Sequence, residues 1–135
     1  MTRLQGLYET ADGLGLQICH VPMEHLTAIS TPDGFIGMNV NKLEDSARES
    51  VCLAHEMGHC LTGSFYTVDS SLQQRLRCEE RAQRWAMEQL VPLEELKAAL
   101  RSGLTRPHEL AEYFGVTEEF LLRCAEYYKE AKGAL

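Results

Sequence analysis

The segment between Ser46 and Gly63 constrains the fold of this chain more strongly than any other part of the sequence. Its apolar residues recur at helical spacing, at Leu53, Met57, Cys60 and Leu61. This spacing predicts an amphipathic helix with one face against a core. Ser46 and Glu49 have the spacing of a capping box, so we expect Ser46 to cap the helix and Gly63 to end it.

Three ionisable residues, His55, Glu56 and His59, lie together on another side of this helix. Side chains four residues apart project from the same face, so the two imidazoles could hold one Zn²⁺. Glu56 is then placed to take a proton from an activated water and to deliver it to a leaving amine. The alternative is two buried or surface histidines on an amphipathic helix, because this short pattern also occurs by chance.

Gly58, between the two histidines, favours the metal site over chance. Glycine inside a helix costs about 1 kcal/mol relative to alanine, and close approach by a strand, a ligand or a metal shell would account for that cost. Three ionisable groups on a buried helix also need a common partner, since unpaired buried charge is costly.

A catalytic zinc site needs a third protein ligand, and a further histidine does not supply it. In the extended motif with a glycine and a third histidine, the corresponding positions here are Thr62 and Phe65. The remaining candidates are two glutamates on the next predicted helix, Glu79 and Glu80.

Helical geometry separates these two glutamates. Glu79 shares a stripe with apolar residues, namely Leu72, Leu76, Ala82 and Ala86. Glu80 has Arg77 before it and Arg84 after it, which is typical of a solvated, ion-paired face. We therefore predict Glu79 as the third ligand and keep Glu80 as the fallback; two ordinary surface glutamates remain the alternative.

The order of predicted elements indicates an α+β fold. Helices are predicted at 3–13, 46–61, 72–90, 93–101, 107–113 and 118–131, and strands at 16–21, 28–30 and 35–40. A turn at Pro32-Asp33-Gly34 predicts an antiparallel hairpin of the last two strands. We expect a small three-stranded antiparallel sheet packed on a helical core, with a helical C-terminal extension.

Composition restricts the partners and the compartment. The 135 residues carry a net charge of −7 without a Lys/Arg cluster, which makes nucleic acid an unlikely partner. No apolar run is long enough to span a membrane, and the first residues lack a signal-peptide pattern. Five irregularly spaced cysteines indicate free thiols. We therefore expect a cytoplasmic protein.

Residues 109–121 have the apolar spacing and the glycine turn of a helix-turn-helix element. Its second helix begins with Glu118 and Glu119, which would repel the phosphates of DNA. We predict a structural or partner-docking role for it, and a DNA-binding regulator is the disfavoured alternative.

Two motifs together resemble the ImmA/IrrE family of metallopeptidases. Residues 53–59 read Leu-Ala-His-Glu-Met-Gly-His, and residues 79–92 follow the pattern Glu-x-x-Ala-(Asn/Asp/Gln)-x-(Phe/Trp)-Ala with a proline at the end. The glutamate of the second motif falls on Glu79. The sequence has Gln83 and Trp85 where the family more often has Asn and Phe, and both changes roughly keep volume and polarity.

The resemblance covers about residues 5–92 and implies a zincin-like peptidase core over residues 1–92, with residues 93–135 as the helical extension of the same compact domain. It implies Zn²⁺ as the cofactor. The implied substrate is a protein, a helix-turn-helix repressor of a prophage or mobile element. A metal-binding module that binds a regulator without cleaving it is the alternative.

Two further expectations concern substrate binding. Peptidases of this type often bind substrate as an added strand, and we take the 35–40 strand as the candidate edge. Tyr66, which follows the metal helix, is the candidate oxyanion stabiliser, with simple packing as the alternative. The sequence does not predict the oligomeric state.

Overall fold

The structure is a computed structural model that describes residues 2–133, and of residue 132 only the backbone. Its elements in chain order are α1 (Arg3–Gly13), β1 (Gln17–Val21), β2 (Ala28–Ser30), β3 (Phe35–Asn39), α2 (Ser46–Thr62), α3 (Leu72–Leu90), α4 (Leu93–Arg101), α5 (Pro107–Phe114) and α6 (Glu118–Lys132). The predicted α+β class is confirmed, and the bounds of the elements lie close to the predicted ones. No helix within residues 2–133 is long and apolar enough to cross a membrane.

The three strands form a mixed sheet in the order β1-β3-β2, so the prediction of an antiparallel sheet is wrong in this detail. β2 and β3 form the expected antiparallel hairpin, whereas β1 pairs with β3 in parallel. The loop over residues 22–27 carries the chain past the end of β3. The buried side chain of Asn39 fixes this loop by donating hydrogen bonds to the carbonyls of Met23 at 2.8 Å and Leu26 at 2.7 Å.

β3 is consequently the central strand, and the prediction that the 35–40 strand is a sheet edge is wrong. The alternation of apolar residues identifies a strand but carries no information on its neighbours. The two edges are β1 and β2.

The N-cap of α2 lies one residue before the predicted one. Asp45 is the N-cap, and its carboxylate accepts from the amide of Arg48 at 2.8 Å, so the predicted capping box at Ser46 is wrong. Glu49 instead accepts a hydrogen bond from the hydroxyl of Tyr8 at 2.5 Å, which joins α2 to α1. The helix ends as expected at Gly63, whose φ of 64° is left-handed.

α2 and α3 pack side by side in opposite directions and form the centre of the core. Ala82 and Ala86 of α3 are fully buried, as predicted. Leu72 and Leu76 are not buried: their exposed fractions are 72% and 59%. α2 ends at Thr62, so the first turns of α3 extend past it, and no helix within residues 2–133 covers their apolar side chains.

The C-terminal helices pack onto the same core. Phe114 of α5 and Phe120 of α6 are buried, and the turn between the two helices uses Gly115 at a φ of 70°. The buried hydroxyl of Tyr128 donates to the carbonyl of Val91 at 2.7 Å, which ties α6 to the end of α3.

Candidate metal centre

α2 and α3 bring His55, His59 and Glu79 together. The Nε2 atom of His55 lies 3.1 Å from Oε1 of Glu79, and the Nε2 atom of His59 lies 2.8 Å from Oε2. The three potential ligand atoms all lie within 4.8 Å of one another. Among the residues that the structure describes, His, Cys, Asp and Glu side chains come close enough together to hold a metal ion at this cluster alone.

Gly58 allows this approach of the two helices. A Cβ atom at position 58 would lie 2.4 Å from the carbonyl oxygen of Ala82, well inside a normal contact distance. Gly58 therefore does serve close approach, although the approaching group is the backbone of helix α3 and not a strand, a ligand or a metal shell. The glycine places the histidines of α2 within reach of the carboxylate on α3.

The other nitrogen of each imidazole is held by an oxygen acceptor. Nδ1 of His59 lies 2.6 Å from the carbonyl oxygen of Ser64, and Nδ1 of His55 lies 2.8 Å from Oε1 of Gln83. A carbonyl oxygen only accepts, so Nδ1 of His59 must carry the proton, and the amide oxygen of Gln83 favours the same tautomer of His55. Such partners typically fix the orientation of metal-binding histidines.

The resulting cluster is rich in electron pairs. In both histidines Nε2 is the ring atom that faces the carboxylate of Glu79, and on a neutral imidazole protonated at Nδ1 this atom carries the lone pair that can bind a metal. Two imidazoles and one carboxylate form a donor set that suits Zn²⁺. The residues present therefore fit a zinc ion.

The cluster opens onto a cavity of about 410 Å³ between β2 and α3. The side chain of His59 is 8% exposed and that of Glu79 is 41% exposed, so the histidine lies at the base and the carboxylate at the mouth. Ile29 and Ser30 of β2 form one wall of this cavity, and Glu56 also lines it. The cavity thus gives a substrate access to the cluster.

Glu56 is held in place by a residue that the sequence did not single out. The hydroxyl of Ser30 donates to Oε1 of Glu56 at 2.7 Å, which leaves Oε2 available. The sequence alone does not identify the residues that position these side chains, namely Ser30, Ser64 and Gln83. Gln83 stands out there only as part of the second motif. A serine at a strand end and a backbone carbonyl carry no recognisable signal in one sequence.

Tyr66 lies at the rim of the same cavity and is 43% exposed. Partial burial raises the pKa of its hydroxyl, and the charge and a hydrogen bond of Glu79 raise the pKa further. The guanidinium of Arg75 lies 5.9 Å from the ring and opposes this shift. The structure thus places Tyr66 beside the cluster.

Glu80, the fallback ligand, lies outside the cluster. Its side chain is exposed and pairs with Arg84 across 3.8 Å. Thr62 donates to the carbonyl of Gly58 at 2.7 Å, and the ring of Phe65 lies 5.9 Å from that of His59. All five cysteines are free thiols, as expected.

A helix with two histidines one turn apart and a carboxylate from the adjacent helix is the arrangement of a metallopeptidase. The family model of the IrrE N-terminal-like domain, a peptidase family, matches residues 11–125, and the chain belongs to this family. The resemblance to the ImmA/IrrE metallopeptidases is thereby confirmed. The match continues past residue 92 into the C-terminal helices. Comparisons with curated proteins and with solved structures found no match.

Proposed function

We propose that this chain is a zinc-dependent metallo-endopeptidase that hydrolyses a peptide bond in a specific protein. The observation that carries the proposal is the convergence of His55, His59 and Glu79 beside a cavity that Glu56 also lines. The proposed substrate is a helix-turn-helix repressor of a prophage or mobile element, and the proposed compartment is the cytoplasm, where such a repressor acts.

In this proposal, His55, His59 and Glu79 hold the zinc ion. Zinc bound there supplies a Lewis acid that polarises the peptide carbonyl and lowers the pKa of a water to about 7. Gln83 and the carbonyl of Ser64 accept hydrogen bonds from the Nδ1 atoms and so orient both rings with Nε2 towards the proposed zinc position.

Glu56 carries the proton transfers. Its Oε1 atom is occupied by the hydroxyl of Ser30, so Oε2 accepts the proton of the attacking water and then delivers it to the leaving amine. The tether to Ser30 restricts the rotation of the carboxylate. A module that only bound a regulator would need no general base. The presence of Glu56 beside the cluster therefore supports cleavage over a purely binding role.

The substrate backbone binds along β2. The outer edge of β2 is unpaired within the described sheet, and its residues line the cavity beside Glu56. An extended peptide can add to such an edge through main-chain hydrogen bonds. β2 therefore replaces the central strand β3 as the proposed docking edge. Tyr66, which lines the same cavity, would stabilise the developing oxyanion by donating a hydrogen bond from its hydroxyl.

The decisive experiment uses zinc-loaded protein and the purified repressor encoded beside its gene. Wild type is expected to produce two defined fragments by mass spectrometry, and Glu56→Gln is expected to bind zinc but to leave the repressor intact. Absence of cleavage by wild type with any divalent metal, together with stable binding of the repressor, would favour the non-cleaving module. Equal cleavage by both proteins would remove Glu56 from the mechanism.

A further inference from the structure

A second pocket, of about 300 Å³, lies next to the catalytic cavity. Arg77 and Arg81 line it on α3, together with Gln74 and Cys78, and we call it the arginine pocket after the two arginines. Phe65 and Tyr66 line this pocket and also the cavity that contains Glu56, His59 and Glu79. The same two aromatic side chains therefore separate a basic pocket from the proposed site of hydrolysis.

The guanidinium groups of the two neighbouring arginines on α3, Arg75 and Arg84, each have a protein partner. Arg75 donates to the carbonyl of Val68 at 2.7 Å, and Arg84 pairs with Glu80 across 3.8 Å. In the part of the chain that the structure describes, no carboxylate lies within ion-pair distance of Arg77 or Arg81. Both side chains are exposed, so their guanidinium groups are available to a ligand.

This unpaired positive charge is unexpected in a chain with a net charge of −7. Arg77 and Arg81 are four residues apart, and like charges at this spacing repel one another on a helix. Ser70 and Gln74 add neutral hydrogen-bonding groups to the same pocket. An anion bound between the two arginines would relieve the repulsion and accept hydrogen bonds from their planar guanidinium groups.

We propose that the arginine pocket binds acidic side chains of the polypeptide substrate, on the Tyr66 side of the bond that is cleaved. The position of the pocket favours a peptide over a nucleic acid, because Phe65 and Tyr66 line both this pocket and the cavity in which we propose that the peptide is cleaved. The inference rests on the proposed peptidase function and narrows its substrate to segments with Glu or Asp next to the cleavage region.

Binding can be measured without turnover in zinc-loaded Glu56→Gln protein. The probes are fluorescein-labelled peptide pools with a randomised centre, flanked on one side by a short run of Glu or by the matched run of Gln. The Glu pool with the correct orientation is expected to bind roughly tenfold more tightly in fluorescence anisotropy, because charge-assisted hydrogen bonds exceed neutral ones. The difference should shrink at high salt.

The variant Arg77→Gln/Arg81→Gln should abolish this preference for Glu, whereas the matched control Arg84→Gln should keep it. The charge-reversed variant Arg77→Glu/Arg81→Glu should instead prefer a pool with a run of Lys. Equal binding of the Glu and Gln pools, or a preference that survives Arg77→Gln/Arg81→Gln, would overturn the inference. So would tighter, arginine-dependent binding of a single-stranded oligonucleotide.

Turnover of the repressor by wild type is measured separately from these binding experiments. If wild type fails to cleave but the Glu preference depends on Arg77 and Arg81, the peptidase function fails and the acidic-peptide pocket stands. If wild type cleaves and the preference is absent, the pocket assignment fails and the peptidase function stands.

Discussion

The hydroxyl of Ser30 donates a 2.7 Å hydrogen bond to Oε1 of Glu56 and thereby joins the edge strand β2 to helix α2, which carries the proposed metal ligands His55 and His59. β2 is also the strand along which we propose that the substrate binds. The position of the proposed base is therefore coupled to the position of the peptide, since one residue of the docking strand holds the carboxylate.

Ser30→Ala is expected to lower kcat about tenfold, because loss of one hydrogen bond to a charged group frees the Glu56 carboxylate to rotate. Zinc affinity should stay unchanged, since no ligand is altered. Cleavage of the repressor under saturating conditions provides the measurement. Ser30→Thr retains the hydroxyl and serves as the control; an unaltered kcat in Ser30→Ala would show that the tether has no role.

Gly58→Ala is expected to destabilise the protein by about 1–3 kcal/mol, the range for overpacking a core. The added Cβ would lie 2.4 Å from the carbonyl oxygen of Ala82, so α2 and α3 must separate and zinc affinity should fall as well. Urea denaturation and zinc titration measure the two effects. Gly13→Ala in α1 is the matched control, because nothing lies within 4 Å of a Cβ there.

Gln83→Ala is expected to weaken zinc binding roughly 10–100-fold, the range for loss of a group that orients a metal ligand. The cause is loss of the 2.8 Å contact with Nδ1 of His55, which leaves the tautomer and the ring orientation unrestrained. Competition with a chromophoric chelator measures the affinity. Gln73→Ala, at an exposed position of the same helix, should bind zinc like wild type.

Cys124 is expected to resist alkylation near pH 8 in the folded protein. Burial raises the pKa of its thiol from 9.0 to about 12, and the thiolate is the reactive form, so the fraction available at pH 8 is very small. The reactivity should increase only as the pH approaches 12 or when the chain unfolds. Peptide mapping after iodoacetamide treatment tests this, with exposed Cys19 as the internal control. Rapid labelling of Cys124 in folded protein would contradict its burial in α6.

The three residues that could hold a metal ion could be identified from the sequence, because their spacing is local or matches a helical period. His55 and His59 are four residues apart, and the second motif identified Glu79. Part of the helical argument for Glu79 was nevertheless wrong, because Leu72 and Leu76 of the same stripe are exposed. Periodicity reports which residues share a face, but the position at which the neighbouring helix ends decides whether that face is covered.

The strand order and the positioning residues could not be predicted, because they depend on contacts between distant segments. The parallel pairing of β1 with β3 arises from the loop over residues 22–27, which crosses the end of β3 and is fixed by Asn39. The contact between Ser30 and Glu56 depends on that same topology, which places β2 beside α2. Neither contact produces a periodic pattern in the sequence from which it could be predicted.

Because of the contact between Gly58 and Ala82, the geometry of the proposed metal site is independent of the residues that we propose select the substrate. The distance between the two ligand-bearing helices is set by main-chain atoms, so it does not depend on the outward-facing side chains of α3. Arg77 and Arg81 belong to that outward face. Relatives that acquire different residues at these two positions could therefore change targets while their hydrolytic centre keeps its dimensions.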